Sequence, residues 1–269
     1  MTASKWTDRD TAAVFPQLKE VELISAEDLH LPIDVSTGAE AAAAPELPST
    51  DNLPVVPSEL AILPLRGVVV YPLTAVPLTV GQPRSVKLID DAAVGQRIIG
   101  LLTAKDPELE APGPDDLHRV GTAALVHRLF RAPDGTIRLL VQGLARFRIV
   151  EFTQTEPYLK ARIELAPEAN EKTLEVEALM RNISTLFQRL GELVPSMPAE
   201  LLSAALSVED PLQFVYTIAL YQRMDLADAQ NLLELDSVVD KMRRLLRSTS
   251  IPARKNSSIS IGISKRLLL

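Results

Sequence analysis

Between Leu63 and Leu78 the chain reads LPLRGVVVYPLTAVPL, a strongly apolar run cut by Pro64, Pro72 and Pro77. A helix does not survive prolines at that spacing, because each removes a backbone N–H and clashes with the preceding turn. The same prolines exclude one long strand, so the run is expected as short extended pieces with edge or bulge positions at the prolines. It overlaps the longest uncharged stretch, Gly67 to Pro83. That stretch does not fit a membrane span, where its prolines would leave backbone groups unsatisfied in lipid, and no signal peptide opens the chain.

Strand signals continue to about Ala166. In Tyr158 to Leu165, Leu159, Ala161, Ile163 and Leu165 alternate with Lys160, Arg162 and Glu164, which predicts one buried and one wet face. Val126 to Phe130 and Ile137 to Val141 flank Pro133, Asp134 and Gly135, a turn sequence that predicts an antiparallel hairpin. Ser85 to Val94 predicts one helix with Ser85 as its cap and Val86, Ile89 and Ala93 at helical spacing. Arg97 to Thr103 predicts a strand, and Asp106 to Asp116 an exposed loop. One helix among about six strands points to a closed or half-closed β-barrel with a helical cover.

After Pro167 the period becomes helical. Val176, Met180, Ile183, Phe187 and Leu190 form one stripe, with Gly191 as its expected stop. Further helix starts are expected at Pro198, at Asp210 before Pro211, and at Ser237 to Asp240, which has the pattern of a capping box. Arg243, Arg244 and Arg247 are expected in a last turn, complementing the helix dipole. Four or five helices with short loops predict an antiparallel bundle. The chain therefore divides into a disordered acidic leader, 1–53, a β-rich subdomain, 54–166, a helical subdomain, 167–248, and an irregular basic tail, 249–269.

Charge and composition narrow the functions. The net charge of −7 lies wholly in residues 1–53, with ten acids and three bases, while residues 54–269 carry 25 of each. A neutral folded part lacks the basic stripe that nucleic acid requires. The absence of cysteine removes disulfides, thiolate nucleophiles and sulfur-ligated metals, and suits a cytoplasmic protein. His30, His118 and His127 are isolated, with no ligand partner one turn away, so no metal is expected. No Gly-Lys pair occurs, so the phosphate-binding P-loop pattern is not met. No catalytic residue and no cofactor is expected.

The order of five segments carries a family resemblance: LPLRGVVVYP (Leu63 to Pro72), PLTVG (Pro77 to Gly81), VGTAA (Val120 to Ala124), PDGT (Pro133 to Thr136) and VQGLARFRI (Val141 to Ile149). From about Leu60 to Arg247 the chain resembles the N-terminal domain of Lon, the ATP-dependent protease. The resemblance implies an α+β fold, a PUA-like β-barrel subdomain with one covering helix followed by an antiparallel helical bundle. It places Tyr71, Pro72, Leu73 and Val76 in an apolar loop near the barrel edge, a candidate surface for capturing unfolded segments; the alternative is that they are core. Leu129 and Phe130 near the hairpin tip are a second candidate patch. Arg66, Gly121, Gly135, Gly143 and Arg146 match family positions and read as structural, the glycines for turns or close approach and the arginines for pairing across strands.

Three functions compete. The first is a non-catalytic substrate-recognition and assembly domain of a Lon-type protease, truncated or split, with unfolded or damaged proteins and other Lon subunits as partners. A stand-alone adaptor that binds one partner protein is the second. The third, an RNA binder by analogy with PUA-like barrels, is weakened by the neutral charge.

Overall fold

The computed structural model describes residues 54–193, 199–222 and 224–249. These form two compact units that divide between Pro167 and Glu168. The expected leader, the tail after Thr249 and the helix start at Pro198 lie outside the described residues. Together the units hold a six-stranded sheet and six α-helices, an α+β fold.

In the first unit the elements run β1 (Glu59–Leu65), β2 (Ala75–Val80), α1 (Pro83–Val94), β3 (Ile98–Thr103), a 3-10 turn (Pro114–Asp116), β4 (Val120–Arg131), β5 (Ile137–Gln154) and β6 (Lys160–Leu165). The sheet order is β2-β5-β4-β3-β1-β6, and β6 also pairs with β5. Hydrogen bonding therefore passes from β5 through β4, β3, β1 and β6 back to β5. The 18-residue β5 makes this possible: residues 137–142 pair with β2, and residues 147–154 pair with β6 across two register shifts. Such shifts bend a strand and raise its twist, which turns one strand from partner to partner. Phe147, Leu144, Ile149, Ile62, Leu102 and Ala161 are among the buried side chains between these strands.

The prolines take the places that a missing donor dictates. Pro77 lies on β2, the edge strand. Gly143 N–H donates to the Thr74 carbonyl at 2.8 Å, a phase that turns the Pro77 nitrogen away from β5. Pro64 lies beyond Ala61, the last β1 residue that β6 pairs, so its other side asks for no donor. Between β1 and β2, Val68, Val69, Val70 and Tyr71 belong to no strand yet are 2–7% exposed. Their backbone is held by side chains instead: Thr103 Oγ1 donates to the Val68 carbonyl (3.1 Å) and Thr122 Oγ1 to the Val70 carbonyl (2.7 Å). Burying those four side chains contributes on the order of 1.5–3 kcal/mol each, and the threonines satisfy carbonyls that would otherwise be buried without donors.

Local corrections follow from tertiary context. The hairpin strands extend well beyond the apolar pattern, because β4 and β5 are buried on both faces near Ala123 and Val141. Helix α1 starts two residues earlier than expected, with Gln82 as N-cap and Pro83 at the first position, and Ser85 is a buried first-turn residue rather than the cap. Leu165, at the end of β6, is 50% exposed and leaves the apolar face.

The second unit holds α2 (Leu174–Leu193), α3 (Ala199–Leu206), α4 (Pro211–Tyr221), α5 (Leu226–Glu234) and α6 (Val238–Thr249). The apolar face of α2 buries Val176, Ile183 and Phe187 and packs chiefly against α6. Gly191 does not stop α2; a Cβ there would lie 2.9 Å from Leu202 Cδ2, so glycine admits close packing by α3. Asp210 caps α4 by accepting from the Gln213 N–H, and Ser237 Oγ accepts from the Val239 N–H at 3.2 Å. Arg243 and Arg244 sit mid-helix, not in the last turn, and pair with Glu175 and Asp228 of other helices.

Lys241 has no exposed side-chain surface. Its Nζ meets Glu168 Oε1 at 2.8 Å and donates to the Leu232 and Leu233 carbonyls at 2.7 and 3.1 Å. Tyr216 completes the group, with its hydroxyl on Glu168 and its ring 5.2 Å from the ammonium. The cation thus neutralises both a buried carboxylate and the negative end of α5. Among the described residues no helix is long and apolar enough to cross a membrane.

Candidate functional site

A cleft of about 330 Å³ opens in the first unit where five pieces of chain meet. The end of β1 and the residues after it supply Leu63 to Arg66 and Val68, β2 supplies Leu78 to Val80, the start of α1 supplies Gln82 and Ser85, the loop before the 3-10 turn supplies Glu110 and Pro112, and the β4-β5 turn supplies Thr136. Its position follows from the sequence. Pro83 fixes the first helical φ and lacks an N–H, so α1 begins at the rim, directly after the Gly81-Gln82 turn out of β2. The proline-rich loop is tied to the same helix end, with Gln82 Nε2 donating to the Glu110 carbonyl and Arg84 Nη2 to the Pro112 carbonyl at 3.0 Å.

The wall nearest β1 and β2 is apolar; the wall formed by α1 is rich in donors. No side chain caps α1 and no acid occupies its first turn. Arg66, half-buried, adds positive charge to the lining, and Glu110, exposed, is its one acid. Among the described residues no group of three or more His, Cys, Asp or Glu could hold a metal ion. The arrangement suits binding of an amphiphilic ligand and contains no paired acid and base or nucleophile and base.

The residues proposed from sequence as an apolar loop are mostly not at the surface. Tyr71 is 2% and Val76 is 6% exposed, and Pro72 is buried. Burial pushes the Tyr71 phenol far above its ordinary value. Leu73 is half-buried with φ 61°, and its N–H donates to the Gly143 carbonyl at 3.0 Å. The physical reason is close approach: at Gly143 a Cβ would overlap the Tyr71 carbonyl oxygen, so glycine lets the 68–74 segment lie directly on β5. These four residues therefore do not present an exposed apolar loop in this structure.

The hairpin residues are placed differently. Phe130 is 41% exposed and Leu129 half-buried on β4, opposite Arg138 and Leu139. Arg131 pairs with Asp90 and so fastens the hairpin to α1. At the tip, the Thr136 N–H and hydroxyl both donate to Asp134 Oδ1, at 2.8 and 2.7 Å, and hold that carboxyl below the usual carboxylate range. Gly135 takes φ 86° there, a conformation that favours glycine. Gly121 permits close approach of the Leu101 carbonyl. Arg146 is 3% exposed and donates to the Ala166 and Pro167 carbonyls at 3.0 and 3.4 Å, which fixes the segment after β6. The cleft and the Lys241 network were not foreseen from sequence; Pro83 with no acid after it was the one available signal for the cleft.

Comparison with known proteins agrees with this architecture. Residues 59–249 match the family model of the ATP-dependent protease La (LON) substrate-binding domain. Lon protease 1 of Herpetosiphon aurantiacus is 44% identical over 212 residues, 77% of this chain and 26% of that protein. Lon protease of Dictyoglomus thermophilum is 42% identical over 200 residues, 74% of this chain and 25% of that protein. The chain thus spans about a quarter of the length of these curated relatives. Among solved structures, the N-terminal domain of Mycobacterium avium complex Lon protease superposes with a TM-score of 0.60 at 23% identity, covering 72% of this chain and all of that one. A Lon N-terminal domain protein from Xanthomonas campestris gives a TM-score of 0.51 at 19% identity over 70% of this chain and 97% of that chain, a likeness of fold. With a family model matched over both folded units, the chain belongs to the Lon substrate-binding domain family.

Proposed function

We propose that this chain is the non-catalytic domain with which a Lon-type ATP-dependent protease takes hold of unfolded or damaged proteins. The observation that carries the reading is the match to a substrate-binding domain over residues 59–249, which spans both folded units. The β5-β4-β3-β1-β6 circuit is read as the PUA-like barrel of that domain, a rigid frame for a contact surface. Phe130 and Leu129 on the hairpin offer apolar surface on that frame, suited to unfolded segments because it asks for no defined sequence. The lack of any Gly-Lys pair fits a chain that receives substrate and leaves ATP hydrolysis to other domains.

A fluorescent, permanently unfolded model protein titrated with the full chain should bind, and Phe130→Ser should weaken that binding with an unchanged thermal midpoint. No binding at all, or ATP turnover by the purified chain, would sink the reading. Capture of one folded protein in preference to the unfolded one would favour the adaptor reading in its place.

A further inference from the structure

We propose that the outer face of β2, β5 and β4 is a docking surface for this chain's own acidic segment Glu20 to Asp34. The contact stands on the face and on the sequence of that segment. Its consequence, competition with substrate, rests on the reading that Phe130 meets unfolded proteins.

Strand register defines the face. Directly paired residues point to the same side of a sheet, and successive residues of a strand to opposite sides. Val76, Leu78 and Val80 of β2 are buried, so Ala75, Pro77 and Thr79 point outward. Three rows then cross the strands: Ala75 with Gln142 and Leu125, Pro77 with Leu140 and Arg128, and Thr79 with Arg138 and Phe130. Of these side chains only Gln142 is buried, where it meets His127 at 2.5 Å. The face thus sets two arginines among apolar residues and carries no acid. Arg131 and Arg162 elsewhere in this unit already face Asp90 and Glu151, whereas no acid pairs with Arg128 among the described residues.

Charge decides the occupant. Residues 20–34 read EVELISAEDLHLPID, five acids with no lysine or arginine, and Leu23, Ile24, Leu29, Leu31 and Ile33 lie among them. This segment matches the face twice, with carboxylates for Arg128 and Arg138 and apolar side chains for Phe130, Leu140 and Pro77. The whole excess of negative charge lies in residues 1–53, so the counter-charge that the arginines attract is carried by the same molecule. Length permits the contact. Residues 35–53 join the segment to the first unit, and a stretch of that length reaches up to about 60 Å, more than the roughly 35 Å breadth of a compact unit of about 100 residues. A segment tethered in this way meets its surface at an effective concentration on the order of 1 mM, so weak individual contacts suffice.

The chain holds no cysteine, so Ser25→Cys offers one attachment point for a nitroxide on the full chain. In amide NMR spectra the oxidised label should halve or more the signals of Thr79, Leu140 and Phe130 relative to the reduced label. Arg128→Glu should restore most of that intensity, and Arg128→Lys should not. Neutralising the segment (Glu20→Gln, Glu22→Gln, Glu27→Gln, Asp28→Asn and Asp34→Asn) should also restore it, with no change to the folded units. Unaffected signals at the three residues, equal loss at all exposed amides, or loss that survives neutralisation would overturn the proposal. So would the same loss in an isotope-labelled chain mixed with a spin-labelled second copy, which would assign the face to a neighbouring molecule. Competition is read by titrating the unfolded model protein: if the segment covers the face two-thirds of the time, the neutralised chain binds about threefold tighter. Local signal loss with unchanged affinity would uphold the contact and remove this face from substrate binding, whereas no local loss with intact capture would overturn the contact and leave the substrate-binding reading standing.

Discussion

At Gly143 the chain passes so close to the Tyr71 carbonyl oxygen that any side chain would force the two apart. Gly143→Ala is expected to cost about 3 kcal/mol, near the upper range for overpacking, measured by urea unfolding. A change below about 0.5 kcal/mol, the level of a surface substitution, would mean that 68–74 does not lie on β5. Tyr71 itself predicts an alkaline response. Its phenol is raised by burial, so above pH of about 10 the unfolded chain loses a proton that the folded chain keeps, and stability falls as pH rises. Tyr71→Phe should flatten that decline in unfolding free energy between about pH 10 and 11; an unaltered slope would contradict the burial. Lys241 gives the third case at this scale. Lys241→Met strands Glu168 in the core and should cost on the order of 3–5 kcal/mol, whereas Lys241→Met with Glu168→Gln should recover much of it.

Among elements, the segment between β1 and β2 shows where pattern reading ends. An apolar run of VVVY between prolines fits a buried strand, an exposed loop or a core plug equally well, because no polar alternation marks a wet side. The deciding contacts come from Thr103 and Thr122, remote in sequence, whose hydroxyls take the place of a neighbouring strand. Thr122→Val keeps the shape and removes one donor to a buried carbonyl, so it should cost about 1–3 kcal/mol in unfolding free energy. Helix ends were more legible. Asp210 before Pro211 reads as a cap from local chemistry alone and is one. Gly191 read as a stop and is not, since its use lies in the approach of Leu202 on another helix. Lys241 falls three residues after Val238 and four before Leu245, on the apolar face of α6; that spacing was visible, its buried acid partner was not.

For the whole molecule, both units are closed by contacts at their junction in sequence. Arg146 holds the Ala166 and Pro167 carbonyls, and Ala169 exchanges backbone hydrogen bonds with Asp236 and Val238 beside the Glu168 to Lys241 pair. A helical fragment starting at Glu168 should therefore melt cooperatively, and one starting at Lys172 should melt far lower or not fold; equal midpoints by circular dichroism would show that the buried pair is dispensable. The candidate site was only partly legible at this scale. Phe130 reads as a hairpin-tip apolar residue and is exposed, whereas Tyr71 and Val76, which read equally as loop surface or core, are buried, because exposure depends on what else covers a segment. The cleft joins residues from Leu63 to Thr136 that no local pattern links. By itself the sequence determined the kinds of element and their order, through prolines, the two-residue and 3.6-residue periods, and caps that act within a few residues. Only the tertiary structure decided which apolar residues are covered, which glycines are contact points, and which distant segments meet at the cleft, since burial and pairing are set by neighbours distant along the chain.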